Sequence, residues 1–137
     1  MSGALVPRPR HLLLAALAAA VLVPVANAAA AATLAGTYRT TVTGSGPLNG
    51  AWTITFDRGG YAITFKGARA VAGRYTLAGS RAVLTDRSGP LACTGAGRTG
   101  TYTVARNGRR LTLTAVRDAC VGRKAVLSGR ALTRAPA

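Results

Sequence analysis

From residue 36 onward the chain is written in alternation. Tyr38, Thr40 and Val42 share one register, Trp52, Ile54 and Phe56 a second, and Tyr61, Ile63 and Phe65 a third, each with Thr, Ala or Arg between. Period 2 puts successive side chains on opposite faces of a pleated strand. Glycine punctuates these runs every eight to twelve residues, and no apolar stripe of helical period interrupts them. The pattern predicts strands at Thr37–Thr43, Ala51–Phe56, Tyr61–Phe65, Ala70–Leu77, Arg81–Asp86, Thr101–Ala105, Arg110–Val116 and Lys124–Thr133. Turns fall at Asp57-Arg58-Gly59-Gly60, at Ala78-Gly79-Ser80 and at Arg106-Asn107-Gly108-Arg109, the last carrying Asn-Gly, a strong hairpin signal. A glycine-rich loop, 87–99, holds Cys93, and a second loop, Asp118–Arg123, holds Cys120. Eight hairpin-linked strands in so short a chain should curl and close, because closure removes exposed edges. The expected fold is all-β, a small eight-stranded antiparallel up-and-down barrel.

The N-terminus reads differently. Arg8 and Arg10 precede an apolar run from Leu12 to Val25, and Ala26-Asn27-Ala28 offers the small-x-small pattern of a cleavage site. Alanine dilution, Pro24 and that pattern favour a cleaved export leader over a membrane anchor. The expected organisation is a leader over 1–28, an arm over 29–33, one barrel domain over 34–134 and a frayed tail over 135–137, with no transmembrane segment once the leader is gone. Losing Arg8 and Arg10 takes the formal charge of the 137-residue chain from +15 to +13. Export exposes Cys93 and Cys120, the only two cysteines, to oxidising conditions, so a disulfide is expected. In the loop-entropy model it contributes about 3–4 kcal/mol.

A weak internal repeat supports that pairing. Gly73-Arg-Tyr75-Thr-Leu-Ala78 matches Gly100-Thr-Tyr102-Thr-Val-Ala105, and at the same offset Ala92-Cys93 falls on Ala119-Cys120. Each unit reads as a hairpin followed by a cysteine loop, although hairpins share enough grammar to produce such a match by themselves.

The opening Leu34-Ala-Gly36-Thr-Tyr38 resembles the L-x-G-x-[WY] first strand of the calycin superfamily, which includes the lipocalins and avidins. The stretch Gly100-Thr-Tyr102 … Gly108-Arg-Arg-Leu111-Thr-Leu113 … Asp118-Ala-Cys120 … Arg123 is similar to the C-terminal half of small secreted bacterial lipocalin-like proteins. The resemblance implies a barrel and a ligand pocket. Its departures carry weight: Tyr38 stands where lipocalins usually have Trp, the Thr-Asp-Tyr motif is missing, and Trp52 is the single tryptophan where avidins use several. The helix that follows the barrel in most lipocalins finds no room in this chain.

The residue inventory argues against catalysis. His11 is the only histidine and leaves with the leader, Glu is absent, and the carboxylates are Asp57, Asp86 and Asp118. A triad needs an imidazole and a metal site lacks its usual ligands, so neither enzyme activity nor metal nor cofactor is expected. The candidate ligand-binding residues are Tyr38, Trp52, Tyr75 and Tyr102, placed on inward registers where a small apolar molecule would meet them. A phenol inside a barrel needs a partner, which a ligand or a water would supply; the other reading is that these rings simply fill the interior. Arg106, Arg109, Arg110, Arg117, Arg123 and Lys124 form the nearest thing to a basic cluster, suited to nonspecific contact with anionic polymer or an anionic lipid surface. No aromatic is interleaved among them, so specific nucleic-acid binding is not expected. Asp118 and Arg123 also read as an ion pair across Cys120. The expectation is an exported, noncatalytic barrel binding a small apolar ligand. The rivals are a cationic envelope module with a solid core and a secreted protease inhibitor acting through its N-terminal arm or the 87–99 loop.

Overall fold

The computed structural model describes residue 3 and residues 33–136; the expected leader and most of the arm lie outside these residues. Eight strands form a closed antiparallel barrel in sequential order: β1 (Gly36–Val42), β2 (Gly50–Asp57), β3 (Gly60–Phe65), β4 (Ala68–Ala78), β5 (Arg81–Ser88), β6 (Thr99–Asn107), β7 (Arg110–Arg117) and β8 (Arg130–Arg134). The expected fold class is the observed one. β1 meets β8 at only two register positions, Tyr38 with Arg134 and Arg39 with Thr133, so the seam is short.

Alternation holds along the strands. Tyr38, Val42, Trp52, Ile54, Phe56, Tyr61, Ile63, Leu84, Tyr102, Leu111 and Leu113 are buried, joined by Leu34 and Leu132. Phe65 and Tyr75 are half-buried against the same core. Trp52 stacks on Phe65 with ring centroids 4.2 Å apart, and Tyr75 meets Phe56 edge-on at 5.3 Å.

The two ends differ. At one, β2–β3, β4–β5 and β6–β7 turn tightly. In the last turn only Gly108 takes a positive φ (57°), while Asn107 remains in β6 opposite Arg110. The turn therefore centres one residue later than the Asn-Gly signal places it. At the other end the β3–β4 turn at Lys66-Gly67 is also tight, but the remaining connections are longer: the segment before β2 with a 3₁₀ turn at Gly46–Leu48, the 89–98 loop, and the crossing from β7 to β8.

That crossing corrects the sequence reading. Lys124–Thr133 is not one strand. Val121–Leu127 forms a helix, α1, and the strand is confined to Arg130–Arg134. Arg123, Val126 and Leu127 are its buried residues, the i, i+3, i+4 spacing of one helical face. Ala, Leu, Arg and Lys are good helix formers, and Gly129, at φ 71°, turns the chain out of the helix into β8. The helix stands before the last strand, inside the run that reads as one strand.

Candidate functional site: the capped end of the barrel

α1, the Gly46–Leu48 turn and the 89–98 loop close the loop end of the barrel. The Trp52 indole N–H donates to the Leu48 carbonyl at 2.8 Å and ties the turn to the wall. Cys93 and Cys120 are bonded as expected, with Cα atoms 6.0 Å apart, joining the loops that follow the β4–β5 and β6–β7 hairpins.

Beneath this cap lies a buried polar cluster centred on Arg123. Its Nε and Nη2 donate to the two Asp118 oxygens, at 2.8 and 2.6 Å. Nη2 also donates to the Gly97 carbonyl, and Nη1 to that of Arg98. Nη1 stands 3.0 Å from Asp86 Oδ1. Four of the five guanidinium N–H groups therefore donate to protein acceptors, and the Asp86 contact adds an ion pair. Asp86 Oδ1 accepts from the Tyr61 hydroxyl at 2.5 Å and its Oδ2 from the Cys93 amide at 2.8 Å. Asp118 accepts from the Tyr102 hydroxyl and, at 2.8 Å, from the Cys120 amide. The cluster leaves no buried side-chain polar atom unpartnered among the described residues.

Two glycines make room for it. A Cβ on Gly100 would stand 2.6 Å from the Asp118 carboxyl carbon and 2.8 Å from Arg123 Nη2; one on Gly73 would stand 2.5 Å from the Tyr61 hydroxyl. These are the equivalent glycines of the internal repeat, so the Gly-x-aromatic motif has a steric reason here.

Electrostatics follow from the geometry. Burial, then the neighbouring carboxylate, pushes the Tyr61 and Tyr102 phenols well above their ordinary range. Burial opposes ionisation of Asp118, but hydrogen bonds from Arg123, Tyr102 and the Cys120 amide outweigh it and hold the carboxyl below its usual value. Burial likewise opposes the Arg123 charge, and Asp118 and Asp86 more than restore it.

Against this cluster sits a small, mostly apolar pocket of about 100 Å³, open between the cap and the barrel wall. Trp52, Ile63 and Val71 line it from the barrel, Leu48 and Leu91 from the loops, and Gly122 and Val126 from α1, with Asp86 and Arg123 also in its lining. A second, larger depression, about 970 Å³ and widely open, runs along the outer wall where β1 and β8 diverge, between Arg39–Thr41 and Gly129–Ala131.

Of the four expected ligand residues, Trp52 alone lines the pocket. Tyr38 and Tyr102 are fully buried in the core, Tyr75 is half-buried, and none of these three borders either cavity. For the three buried phenols the need for a partner is met by the protein: Arg106 donates to Tyr38 at 2.7 Å, and Asp86 and Asp118 accept from Tyr61 and Tyr102.

The basic cluster is corrected as well. Arg123 is not a surface cation; its side chain is 2 % exposed, and its pairing with Asp118 is the reading that matches the geometry. The other five separate. Arg106, Arg109 and Arg110 lie at the hairpin end, where Arg106 also reaches the Thr33 carbonyl and Arg109 that of Arg134. Arg117 and Lys124 lie at the loop end; Arg110 and Arg117 are the two ends of β7, about 23 Å apart at strand rise.

Sequence reasoning missed Asp86 and Tyr61 as site residues, and the pocket's second wall. The signal for Asp86 was present: Ala82, Leu84 and Asp86 share one register, which aims the carboxylate inward. Asp86, Cys93 and Cys120 also bring three metal-ligand atoms within 4.8 Å of one another, but the two sulfurs are bonded to each other. Among the described residues no helix is long and apolar enough to cross a membrane.

The fold and site define a closed eight-stranded antiparallel barrel with a polar-sealed loop end. Compared with protein families, with curated proteins and with solved structures, the chain matches none.

Proposed function

We propose that the protein is a noncatalytic binding barrel that takes a small apolar molecule into the pocket at its loop end. One observation carries the reading: a mostly apolar pocket, open to the outside, is built from three separate parts of the chain around Trp52. Its volume, about 100 Å³, suits a molecule near the size of benzene better than a fatty acid or retinoid. The chain's function follows from binding because its buried carboxylates are held by Arg123 and by phenols, an arrangement suited to stability rather than proton transfer. Export fits the same reading, since the Cys93–Cys120 bond belongs to an oxidising compartment. Division of the exposed arginines between the two ends supports general attraction to polyanions rather than a built anion site.

Titration of the protein with toluene, read by Trp52 emission, tests the proposal. Saturable change is expected in the wild type. Val126→Phe, which puts a ring into the pocket from α1, should abolish it while the thermal transition remains cooperative. A saturable signal that survives Val126→Phe, or none in the wild type, refutes the reading.

A further inference from the structure

The pocket's polar side is asymmetric. Arg123 has little to offer a ligand: four of its N–H groups donate to Asp118 and to the Gly97 and Arg98 carbonyls, and Nη1 is also paired with Asp86 at 3.0 Å. Asp86 is different. A carboxylate has about four acceptor positions, and three are engaged: by Tyr61 and Arg123 on Oδ1 and by the Cys93 amide on Oδ2. The remaining position belongs to Oδ2, on a residue that lines the pocket. Formal charge points the same way. Asp86 and Asp118 bring two negative charges and Arg123 one positive, so the buried cluster carries a net −1. Trp52, part of the lining, brings an indole whose π face attracts cations.

We infer that the pocket selects a small primary amine with an apolar body, its ammonium group donating to Asp86 and its body lying against Trp52, Ile63, Val71 and Val126. The inference rests on the binding reading above and adds the ligand's chemical class. It runs against the field of the whole molecule: a chain of formal charge +15 attracts anions from a distance. Only the local cluster favours a cation, so the sign of the preference separates pocket from surface.

The test uses three ligands of one size on the wild-type protein: toluene, benzylamine and benzoate, each titrated by calorimetry at low and at moderate salt. Benzylamine is expected to bind about tenfold more tightly than toluene, as a charge-assisted hydrogen bond allows, and benzoate not to saturate. In Asp86→Asn the advantage of benzylamine over toluene should disappear while toluene still binds. Equal binding of all three, or a preference for benzoate at moderate salt, overturns the amine assignment and leaves apolar binding intact. Failure of all three overturns both.

Discussion

Replacing Arg123 by Met should be the most damaging single change outside the apolar core. The guanidinium is 2 % exposed and lies between carboxylates whose side chains are 1 % and 0 % exposed. Methionine keeps much of the volume and none of the donors. Asp86 and Asp118 would then sit buried with an uncompensated charge, and the Gly97 and Arg98 carbonyls would lose their partners. Breaking a buried ion pair from one side costs about 3–5 kcal/mol. Domains of this kind have about 5–15 kcal/mol in total, so the variant should melt far earlier or fail to hold a fold. Arg117→Met is the control, an exposed arginine whose loss should stay within about 0.5 kcal/mol. Urea unfolding followed by Trp52 emission gives both values. Adding Asp86→Asn and Asp118→Asn to Arg123→Met removes the stranded charges and should recover about 1–3 kcal/mol. A loss below about 1 kcal/mol in Arg123→Met would refute the claim that this cluster holds the cap to the barrel.

Gly100→Ala should destabilise by several kcal/mol, because its methyl meets Asp118 and Arg123 at 2.6–2.8 Å, whereas Gly108→Ala, with nothing within 4 Å, should cost only the strain of its positive φ; thermal melts compare them. Stability should fall on both sides of neutrality. Asp118 titrates below its unfolded value when folded, so its contribution is present above about pH 4 and is lost as acid protonates the folded carboxyl; Tyr61 and Tyr102 titrate above theirs, so their contribution is present below about pH 10 and is lost above it. Melting temperatures across pH check both limbs. Retention on heparin should fall steeply with salt, and replacing Arg106, Arg109 and Arg110 together should reduce it only in part, since Arg117 and Lys124 stand at the opposite end.

The barrel was legible because alternation and glycine punctuation are local signals, and seven of eight strands follow from them. The eighth misled because Lys124-Ala-Val-Leu followed by Arg-Ala-Leu-Thr mimics a strand run. The spacing of Arg123, Val126 and Leu127, read together with Gly129, is what separates helix from strand there. The Asp118–Arg123 tie was readable as a sequence neighbour. Its burial was not, since that depends on Gly97, Arg98 and Asp86 arriving from other strands and loops. The tyrosines were placed on the correct face, yet their partners are side chains distant in sequence, which no local pattern reveals. The pocket belongs to the same class: its walls come from β2, β3, β4, β5, α1 and two loops, and only closure brings them together.

The central claim is that ligand enters at the loop end and not among the tyrosines of the barrel interior. An amide and indole NMR map of the ¹⁵N-labelled protein during toluene titration addresses it most directly. Saturable shifts are expected at the Trp52 indole and at Leu91, Gly122 and Val126, with Arg106, Gly108 and Arg110 unmoved. Shifts centred instead on Tyr38, Tyr75 and the β6–β7 turn, or no saturable shift anywhere, would contradict the account.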